Sequence, residues 1–255
     1  MGTALITGAS AGLGLEFAWQ LATARHDVVL VARDTERLER LASQLRAAAG
    51  VHAEVLTADL TDRADVERVA ERLRATERPV GLLVNNAGLG IGQRFVGGDL
   101  AREEAALDLM VRAVLVLSHA AAGAMTERGR GAILNVASVA ALTAGGTYAA
   151  AKAWVRTFTE GLAVELEGTG VTATALCPGL TRTEFHDRAG LRAAETYPEI
   201  AWLSADRVVA TALADVRRGA VISTPSLRYQ VASGLLRAMP RSVVRRLGDV
   251  RPDRD

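Results

Sequence analysis

The sequence predicts an α/β fold in which one doubly wound domain contains about seven parallel strands with helices on both faces. Three observations support this prediction. Short runs rich in β-branched residues alternate with longer segments rich in Ala, Leu, Arg and Glu. The short runs are apolar at consecutive positions, as in strands that are buried on both faces of a parallel sheet. The chain has 255 residues, 49% of them hydrophobic, and so can bury one large core.

Seven short runs mark the predicted strands, at residues 3–7, 28–32, 52–57, 81–84, 131–136, 171–177 and 220–223. The intervening segments have helical periodicity, as in residues 36–48 and 63–75, where Leu or Val recurs every three or four positions. The chain contains no evident linker or second domain. Residues 1–225 are therefore predicted to form one domain, and residues 226–255 a basic helical extension packed on it.

The composition argues against several classes of protein. A net charge of +1 does not favour bulk electrostatic binding of nucleic acid. The single cysteine, Cys177, excludes an internal disulfide, and the scattered histidines lack metal-ligand spacing. The N-terminal apolar run is too short for a signal peptide, and no apolar stretch is expected to reach the roughly 18 residues of a spanning helix. We therefore expect a cytoplasmic protein without a metal site.

The single lysine of the chain, Lys152, lies four residues after Tyr148. Every other basic residue among the 30 Lys and Arg is an arginine. Residues four apart on a helix share one face, and arginine cannot replace a compact ammonium group with a tunable pKa. The pair therefore indicates chemistry, although a chance Tyr-x-x-x-Lys is the simpler alternative.

A glycine-rich turn follows the first predicted strand and begins a helix near Leu15. It contains Gly8, Ser10, Gly12, Leu13 and Gly14. Such glycines allow the backbone to approach a pyrophosphate, whose charge is stabilised by the helix N-terminus. This placement predicts a dinucleotide site of Rossmann type, and an ordinary tight turn is the alternative. The spacing is G-x-x-x-G-x-G, which differs from the more common G-x-G-x-x-G.

The residue after the second predicted strand indicates the choice of cofactor. An acidic residue at this position binds the ribose hydroxyls of NAD, but here Ala32 is followed by Arg33. A guanidinium group can bind the 2′-phosphate of NADP through charge-assisted hydrogen bonds. NADP is therefore predicted over NAD, although Asp34 weakens the argument and Arg33 could be an ordinary surface residue.

Taken together, these residues resemble the short-chain dehydrogenase/reductase superfamily in its common form of about 250 residues. The resemblance covers roughly residues 3–225 and includes several motifs in the family's order. They are Thr7–Gly14, Asp59-Leu60, Asn85-Asn86-Ala87-Gly88, Ser138, Tyr148, Lys152 and Pro178-Gly179. The resemblance implies a nucleotide-binding and catalytic domain of Rossmann type in an enzyme that transfers a hydride between NADP(H) and a carbonyl or alcohol. It also implies a homodimer or homotetramer.

The same resemblance implies roles for individual residues. Asp59 and Leu60 would contact the adenine, and Asn86, Ala87 and Gly88 would form the floor under the adenosine ribose. Pro178, Gly179, Thr181 and Thr183 would line the nicotinamide and the phosphates, whereas residues 3–7 would serve the core alone. Ser138 would bind the substrate oxygen, Tyr148 would transfer the proton, and Lys152 would hold the nicotinamide ribose.

Lys152 is also expected to lower the pKa of Tyr148. The ordinary pKa of a phenol is near 10. An ammonium group about 4 Å away, at an effective dielectric constant of about 20, attracts a phenolate by roughly 4 kcal/mol. That energy corresponds to roughly three pKa units before desolvation is subtracted. A phenol with its pKa lowered in this way can act as an acid or base near neutral pH.

Two departures from the family pattern are evident. Met110 occupies the position at which the family usually has an asparagine that helps to hold a water beside the lysine. The spacing of ten between Ser138 and Tyr148 is about three residues shorter than usual, so the substrate pocket should differ in shape.

Arg112 is expected to be a solvated charge and His119 a packing or interface residue. Because of Met110, a catalytically impaired nucleotide-binding regulator is the alternative function.

Residues 180–203 are predicted to cover the substrate. The segment contains several large apolar or aromatic residues and one histidine, namely Phe185, His186, Leu191, Tyr197, Ile200, Trp202 and Leu203. An apolar cover favours an apolar or bulky substrate, and packing of these residues on the body of the protein is the equal alternative. Two other classes fit less well, since an epimerase needs a larger C-terminal domain and a methyltransferase needs an acid where Ala32 stands.

The C-terminal segment is rich in arginine, with nine Arg and three Asp from Arg217 onward. Residues 227–239 have helical apolar spacing with flanking arginines. The favoured interpretation is a helix pair with a solvated basic face, followed by a loose tail at residues 250–255. A flap over the pocket and a surface for anionic membranes are the alternatives.

Overall fold

The computed structural model describes residues 2–185 and 197–247 and has the predicted α/β fold. The helices and strands alternate along the chain. They are β1 (Thr3–Thr7), α1 (Gly12–Thr23), β2 (Asp27–Ala32), α2 (Thr35–Ala49), β3 (Ala53–Thr57), α3 (Arg63–Arg74), β4 (Val80–Asn85), α4 (Leu100–Leu107), α5 (Ala113–Glu127), β5 (Gly131–Val136), α6 (Gly146–Glu165), β6 (Val171–Leu176), α7 (Ala205–Arg217), β7 (Ile222–Ser223), α8 (Leu227–Ala238) and α9 (Arg241–Leu247). A π-helical turn, Asp108–Arg112, joins α4 to α5, and short 3₁₀ turns cover Val139–Leu142 and Glu199–Ala201.

The seven strands form one parallel sheet in the order β3-β2-β1-β4-β5-β6-β7. The chain reverses its direction of winding between β1 and β4, and ligands of such sheets bind in the crevice beyond the carboxyl ends of the strands at this point. All the motifs that follow β1, β4, β5 and β6 therefore lie at one edge. The predicted fold class is confirmed, and the seventh strand is shorter than predicted.

The core has one layer on each face of the sheet. Helices α1, α2 and α7 cover one face with buried residues such as Phe17 and Leu45, and helices α3 and α5 cover the other with Leu73, Leu117 and Met125. Asp34 begins α2 by accepting a hydrogen bond from the Arg37 N–H at 3.0 Å, and Gly50 ends it in the left-handed conformation.

One continuous helical stretch in the described part of the chain, Leu100–Glu127, is long and apolar enough to cross a membrane by length and composition alone. The expectation that no stretch reaches this criterion was therefore wrong. In this fold the stretch packs against α3 and strands β4 and β5, so its apolar face contributes to the core.

Candidate active site

The glycine turn lies at the end of β1, and its shape requires glycine at several positions. Gly8 and Gly12 have φ angles of 66° and 55°, in the left-handed region that favours glycine. A Cβ atom on Gly14 would lie 2.1 Å from the carbonyl oxygen of Gly8, so no other residue fits there. Helix α1 begins at Gly12, three residues earlier than predicted, and its N-terminus has no side-chain cap among the described residues. This close backbone approach and uncapped helix terminus fit a pyrophosphate group.

Thr7 and Asn86 hold the turn against the end of β4. The Thr7 hydroxyl accepts hydrogen bonds from the N–H groups of Asn86 and Ala87 at 2.9 and 3.0 Å. The Asn86 side-chain amide donates to the Thr7 carbonyl oxygen at 2.9 Å. Residues 3–7 therefore do more than fill the core, because Thr7 aligns the loops that follow β1 and β4, where the winding of the sheet reverses. Asn86 uses its side chain to support the turn.

The loops after β2 and β3 face each other beside the turn. Arg33 is 77% exposed in its side chain, and its guanidinium lies 3.9 Å from the Asp59 carboxylate. Asp59 also accepts hydrogen bonds from the N–H and hydroxyl of Thr61, and it thereby closes its own loop. The Leu60 side chain is buried in the core beside α3. Asp34 is engaged as the cap of α2, so the carboxylate that weakened the NADP prediction already has a structural partner.

Ser138, Tyr148 and Lys152 come together beyond the end of β5. The Ser138 hydroxyl accepts the Ala140 N–H at 3.1 Å and is hydrogen-bonded to the Tyr148 side chain. Lys152 is only 5% exposed and donates from Nζ to the carbonyl oxygen of Val136 at 2.8 Å. Its Nζ lies 5.9 Å from the centre of the Tyr148 ring. Gly88 leaves room beside it, because a Cβ atom there would lie 3.5 Å from Nζ.

The electrostatics of this group differ from the sequence-based expectation. Burial raises the pKa of Tyr148 to about 12, and the hydrogen bond with Ser138 opposes the increase. Burial lowers the pKa of Lys152 to about 8, with the nearby Cys177 opposing the decrease. The predicted lowering of the tyrosine pKa was therefore wrong in sign for these residues by themselves. The reason is that desolvation penalises both charged forms.

Met110 is fully buried in the π-helical turn that joins α4 to α5. It packs with Ile91 and Ala151 and lies next to Tyr148. A π-helical turn inside a longer helix is common at functional sites because it displaces the local backbone carbonyl groups. The Met110 side chain cannot supply the hydrogen bonds that an asparagine would supply at this position.

Arg112 and His119 differ from each other in environment. Arg112 pairs with Asp108 at 2.7 Å and donates to the Thr61 carbonyl oxygen at 2.6 Å. It connects the π-helical turn to the loop after β3, so the prediction of a solvated charge was wrong. His119 is exposed on α5.

Glu103 was missed by the sequence analysis. It is buried on α4 and accepts hydrogen bonds from the Thr147 hydroxyl at 2.5 Å and from the Gln93 amide at 3.0 Å. These two bonds, Thr147 first, lower the pKa of its carboxyl group. Thr147 precedes Tyr148, so Glu103 fastens the start of α6 and the short loop before it to α4. No sequence signal separated Glu103 from its charged neighbours Arg102 and Glu104.

The segment after β6 lies over the turn and Tyr148. Thr181 donates to the Gly179 carbonyl oxygen at 3.0 Å, and Pro178 accepts the Val139 N–H at 3.1 Å. Thr183 lies against Gly12, where an added Cβ would be 3.2 Å from the Thr183 Cβ. The Phe185 ring lies 5.9 Å from the Tyr148 ring.

The predicted cover is divided between packed and exposed residues. Leu203 packs on the core, and the Trp202 ring lies 5.7 Å from the Arg182 guanidinium, whereas Tyr197 and Ile200 are exposed. Packing on the body of the protein therefore applies to Leu203 and Trp202, and the preference for an apolar or bulky substrate stays a prediction. His186, Leu191 and the tail at residues 250–255 lie outside the described residues.

Tyr229 on α8 is a second residue that the sequence analysis missed. Its hydroxyl donates to the Ala201 carbonyl oxygen at 2.8 Å and accepts the Leu180 N–H at 3.2 Å. Its ring lies so close to Gly179 that a Cβ atom there would be 2.1 Å away. Tyr229 therefore fixes the C-terminal extension to the edge of the site. The described residues contain no group of three His, Cys, Asp or Glu that could hold a metal ion.

The chain is similar to known oxidoreductases along most of its length. The sequence model described as short chain dehydrogenase matches residues 2–193. Sulfoacetaldehyde reductase 2 of Chromohalobacter salexigens is 38% identical over 186 residues, which are 71% of this chain and 73% of that protein. A short-chain dehydrogenase from Sphingobium yanoikuyae, solved in complex with NADPH, is 36% identical with a TM-score of 0.84, covering 100% of this chain and 98% of that one.

Two other solved structures bear on substrate and cofactor. The bulky-bulky ketone specific alcohol dehydrogenase from Comamonas testosteroni is 32% identical with a TM-score of 0.80, covering 95% of this chain and 96% of that one. A short-chain dehydrogenase/reductase from Burkholderia phymatum in complex with NAD is 26% identical with a TM-score of 0.81, covering 92% of each chain. The similar structures therefore include complexes with both dinucleotides.

Proposed function

The chain belongs to the short-chain dehydrogenase/reductase family and is an NAD(P)-dependent oxidoreductase, and from this premise we propose that it reduces the carbonyl group of an apolar or bulky substrate with NADPH. One observation carries the proposal. Ser138, Tyr148 and Lys152 meet beside Gly88, at the same edge of the sheet as the glycine turn. This arrangement supports proton transfer next to a bound dinucleotide.

Tyr148 is the proposed proton donor. When bound, the reduced nicotinamide supplies the hydride, and the carbonyl oxygen then requires a proton. Because burial raises the pKa of Tyr148 to about 12, its phenol keeps the proton at neutral pH until a stronger base is next to it. A newly formed alkoxide is such a base. Ser138, whose hydroxyl bonds to Tyr148, would orient the phenol and stabilise the charge that develops on the substrate oxygen.

Lys152 is the proposed binding group for the nicotinamide ribose and the group that returns a proton to the phenol. Its Nζ is anchored by the Val136 carbonyl oxygen, which leaves two of its three donors for other partners. With a pKa of about 8, the ammonium can release a proton close to neutral pH. The displaced backbone of the π-helical turn at Met110 lies close by and is proposed to serve in place of the missing asparagine.

The dinucleotide would lie along the carboxyl ends of the strands, where the winding of the sheet reverses between β1 and β4. Gly8, Ser10, Gly12, Leu13 and Gly14 would bind the pyrophosphate, and Pro178, Gly179, Thr181 and Thr183 would border the nicotinamide half. Arg33 is proposed to bind the 2′-phosphate of NADP, since it is exposed and its pair with Asp59 is long at 3.9 Å. Asp59 and the backbone of Leu60 would border the adenine, and Ala87 and Gly88 the adenosine ribose.

The substrate class is proposed from the surroundings of Tyr148. Phe185 packs on its ring, and Ile91 and Met110 lie in the same apolar cluster. These side chains favour an apolar group next to the carbonyl. The similar structure of a dehydrogenase specific for bulky-bulky ketones supports the same proposal.

The first experiment is a screen of aromatic and aliphatic ketones for NADPH oxidation, followed by a test of Lys152→Arg on the best substrate. We expect the substitution to abolish turnover and weaken cofactor binding, because a guanidinium is larger and planar. The control is Arg156→Lys, one turn along the same helix, where the ion pair with Glu160 should form with either cation. Activity that survives Lys152→Arg would contradict the proposed role.

The alternative of a nucleotide-binding regulator rests on Met110 alone, and the contacts among Ser138, Tyr148 and Lys152 argue against it. A regulator would bind NADPH without oxidising it in the presence of any ketone of the screen. The homodimer or homotetramer expected from the family resemblance stays a prediction, which sedimentation velocity can test.

A further inference from the structure

Helix α8 turns an apolar side toward solvent. Ser233 is its buried residue, and Tyr229 and Leu236 are partly buried on the same side. On the opposite side Leu227, Val231 and Leu235, one per turn, are 75%, 57% and 56% exposed. These three residues are called the α8 stripe. The sequence favoured a helix pair whose solvated face is basic, but the structure exposes this apolar side as well.

The α8 stripe continues onto the segment that covers the site. The Arg228 guanidinium donates to the carbonyl oxygen of Ile200, which is itself 70% exposed. Arg228 follows Leu227 directly, so Ile200 lies near the start of the stripe. A contiguous exposed apolar patch rimmed by polar residues is typical of a surface that binds a protein or a membrane.

The charged residues of α8 and α9 are all arginines. Residues 227–247 contain five arginines and no acidic residue, and the exposed Glu199 beside Ile200 is paired with Arg182. By helical geometry Arg228 lies on one side of the stripe and Arg237 on the other, and α9 adds exposed Arg245 and Arg246. Long arginine side chains beside an apolar stripe can reach phosphate groups while their aliphatic parts remain on the apolar surface.

We propose that the α8 stripe and its arginines bind the surface of an anionic phospholipid bilayer, with α8 lying parallel to the membrane. A narrow apolar stripe flanked by cations is the pattern of helices that insert shallowly at the lipid headgroups. A second copy of the chain fits less well, because a twofold contact places the same surface on both sides. That contact would bring the five arginines of α8 and α9 close to the same five of the other copy, with no acid in these two helices to pair them.

This interaction would place the bilayer next to the predicted pocket, since Tyr229 joins α8 to Gly179 and to the Ala201 carbonyl.

The test measures binding without substrate, so its result does not depend on the proposed reaction. The full chain is sedimented with vesicles of equal parts phosphatidylcholine and phosphatidylglycerol, and with vesicles of phosphatidylcholine alone. We expect binding to the anionic vesicles that weakens as salt is added.

Two pairs of variants separate the apolar and charged contributions. Val231→Ser/Leu235→Ser should weaken binding at least about tenfold. Its control, Leu115→Ser/Val164→Ser, removes residues of similar exposure, 45% and 66%, from other helices and should not weaken binding. Arg237→Gln/Arg245→Gln/Arg246→Gln should weaken binding roughly 100-fold, at about fivefold for each arginine near an anionic surface. Its control is Arg40→Gln/Arg130→Gln/Arg207→Gln, three exposed arginines elsewhere.

Thermal melting of each variant shows that it is folded. Three results would overturn the proposal: no binding to anionic vesicles, equal binding to both vesicle types, or equal losses in test and control variants. Self-association that Val231→Ser/Leu235→Ser abolishes, without vesicle binding, would instead assign the α8 stripe to an interface between copies of this chain.

Discussion

Two glycines of the site illustrate how its pyrophosphate end, here called the cofactor side, differs from the end at which the nicotinamide would meet the substrate, here called the substrate side. A Cβ atom would meet another atom at 2.1 Å at both Gly14 and Gly179. At Gly14 that atom is the backbone carbonyl oxygen of Gly8, and at Gly179 it belongs to the ring of Tyr229. The cofactor side is therefore shaped by contacts between backbone segments. The substrate side is shaped by side chains from a distant helix.

This difference has a consequence for how each side can change. The backbone contact at Gly14 cannot be relieved without moving β1 and α1. Strand β1 is hydrogen-bonded on both edges, to β2 and to β4. A side-chain contact can be relieved by a rotation or by a small shift of α8. The substrate side should therefore tolerate substitutions that the cofactor side does not.

The largest effect is expected from Tyr148→Phe, compared with Tyr229→Phe. Tyr148→Phe keeps the ring and removes the proposed acid, so turnover should fall at least about 100-fold with nearly unchanged cofactor affinity. Tyr229→Phe removes two hydrogen bonds that hold the cover, and we expect only a several-fold increase in KM. Steady-state kinetics on one ketone measures both. A Tyr148→Phe enzyme with more than about a tenth of the original rate would move the chemistry to another residue.

Gly14→Ala and Gly179→Ala test whether the cofactor side and the substrate side differ in this way. Gly14→Ala should reduce NADPH affinity by about two orders of magnitude and lower the melting temperature, because the Gly8 carbonyl cannot move away. Gly179→Ala should have a smaller effect, divided between the KM values for NADPH and for the ketone. Gly161→Ala is the control, since a Cβ there meets no atom of the described residues within 4 Å. Equal losses at Gly14 and Gly179 would show that the distinction between the two sides is wrong.

Arg33→Ala tests the proposed role of Arg33 in the choice between NADPH and NADH. The wild type should bind NADPH more tightly than NADH, and the substitution should remove about 2–3 kcal/mol of that preference. The control is Arg40→Ala, which changes an exposed arginine on the neighbouring helix α2 and should leave the preference unchanged. Fluorescence titration with both dinucleotides gives the affinities. Equal affinities in the wild type would reject the assignment of Arg33.

The pH dependence of stability tests the burial of Lys152 in the free protein. Its pKa of about 8 lies below the ordinary 10.5, so between these values the unfolded chain binds more protons and stability should rise with pH. Tyr148 acts in the opposite direction above pH 10, because its folded pKa is about 12. Lys152→Met should remove the rise, which is roughly 3 kcal/mol at most. Urea unfolding gives the free energy of unfolding of both proteins across this pH range. If that free energy changes with pH in the same way in both proteins, the assignment is contradicted.

The smallest effect is expected from Met110→Asn. The position is fully buried among apolar side chains, so an unpaired amide should cost about 1–3 kcal/mol of stability. Turnover should stay the same or fall, since the backbone of the π-helical turn is proposed to serve in place of the asparagine. A pH–rate profile with saturating NADPH compares the two proteins. A variant about tenfold faster, with an unchanged melting temperature, would mean that the missing asparagine limits the natural enzyme.

The sequence alone determined those features that depend on residues close together in the chain. The sheet follows from runs of apolar residues, the glycine turn from eight consecutive residues, and the alignment of Tyr148 with Lys152 from one helical turn. Ser138 was predicted from the resemblance to the short-chain dehydrogenase/reductase family, because it follows the fifth predicted strand in the family's order of motifs. Local conformation and strand direction are short-range properties, and a sequence states them directly.

Only the tertiary structure decided which distant groups meet and how deeply they are buried. Glu103 contacts Thr147 across 44 positions, and Tyr229 contacts Leu180 across 49. The signs of the pKa changes at Tyr148 and Lys152 depend on desolvation by the surrounding chain, which no spacing reports. The exposure of the α8 stripe has the same origin. An amphipathic pattern states that a helix has two sides, but the elements packed against it decide which side faces water.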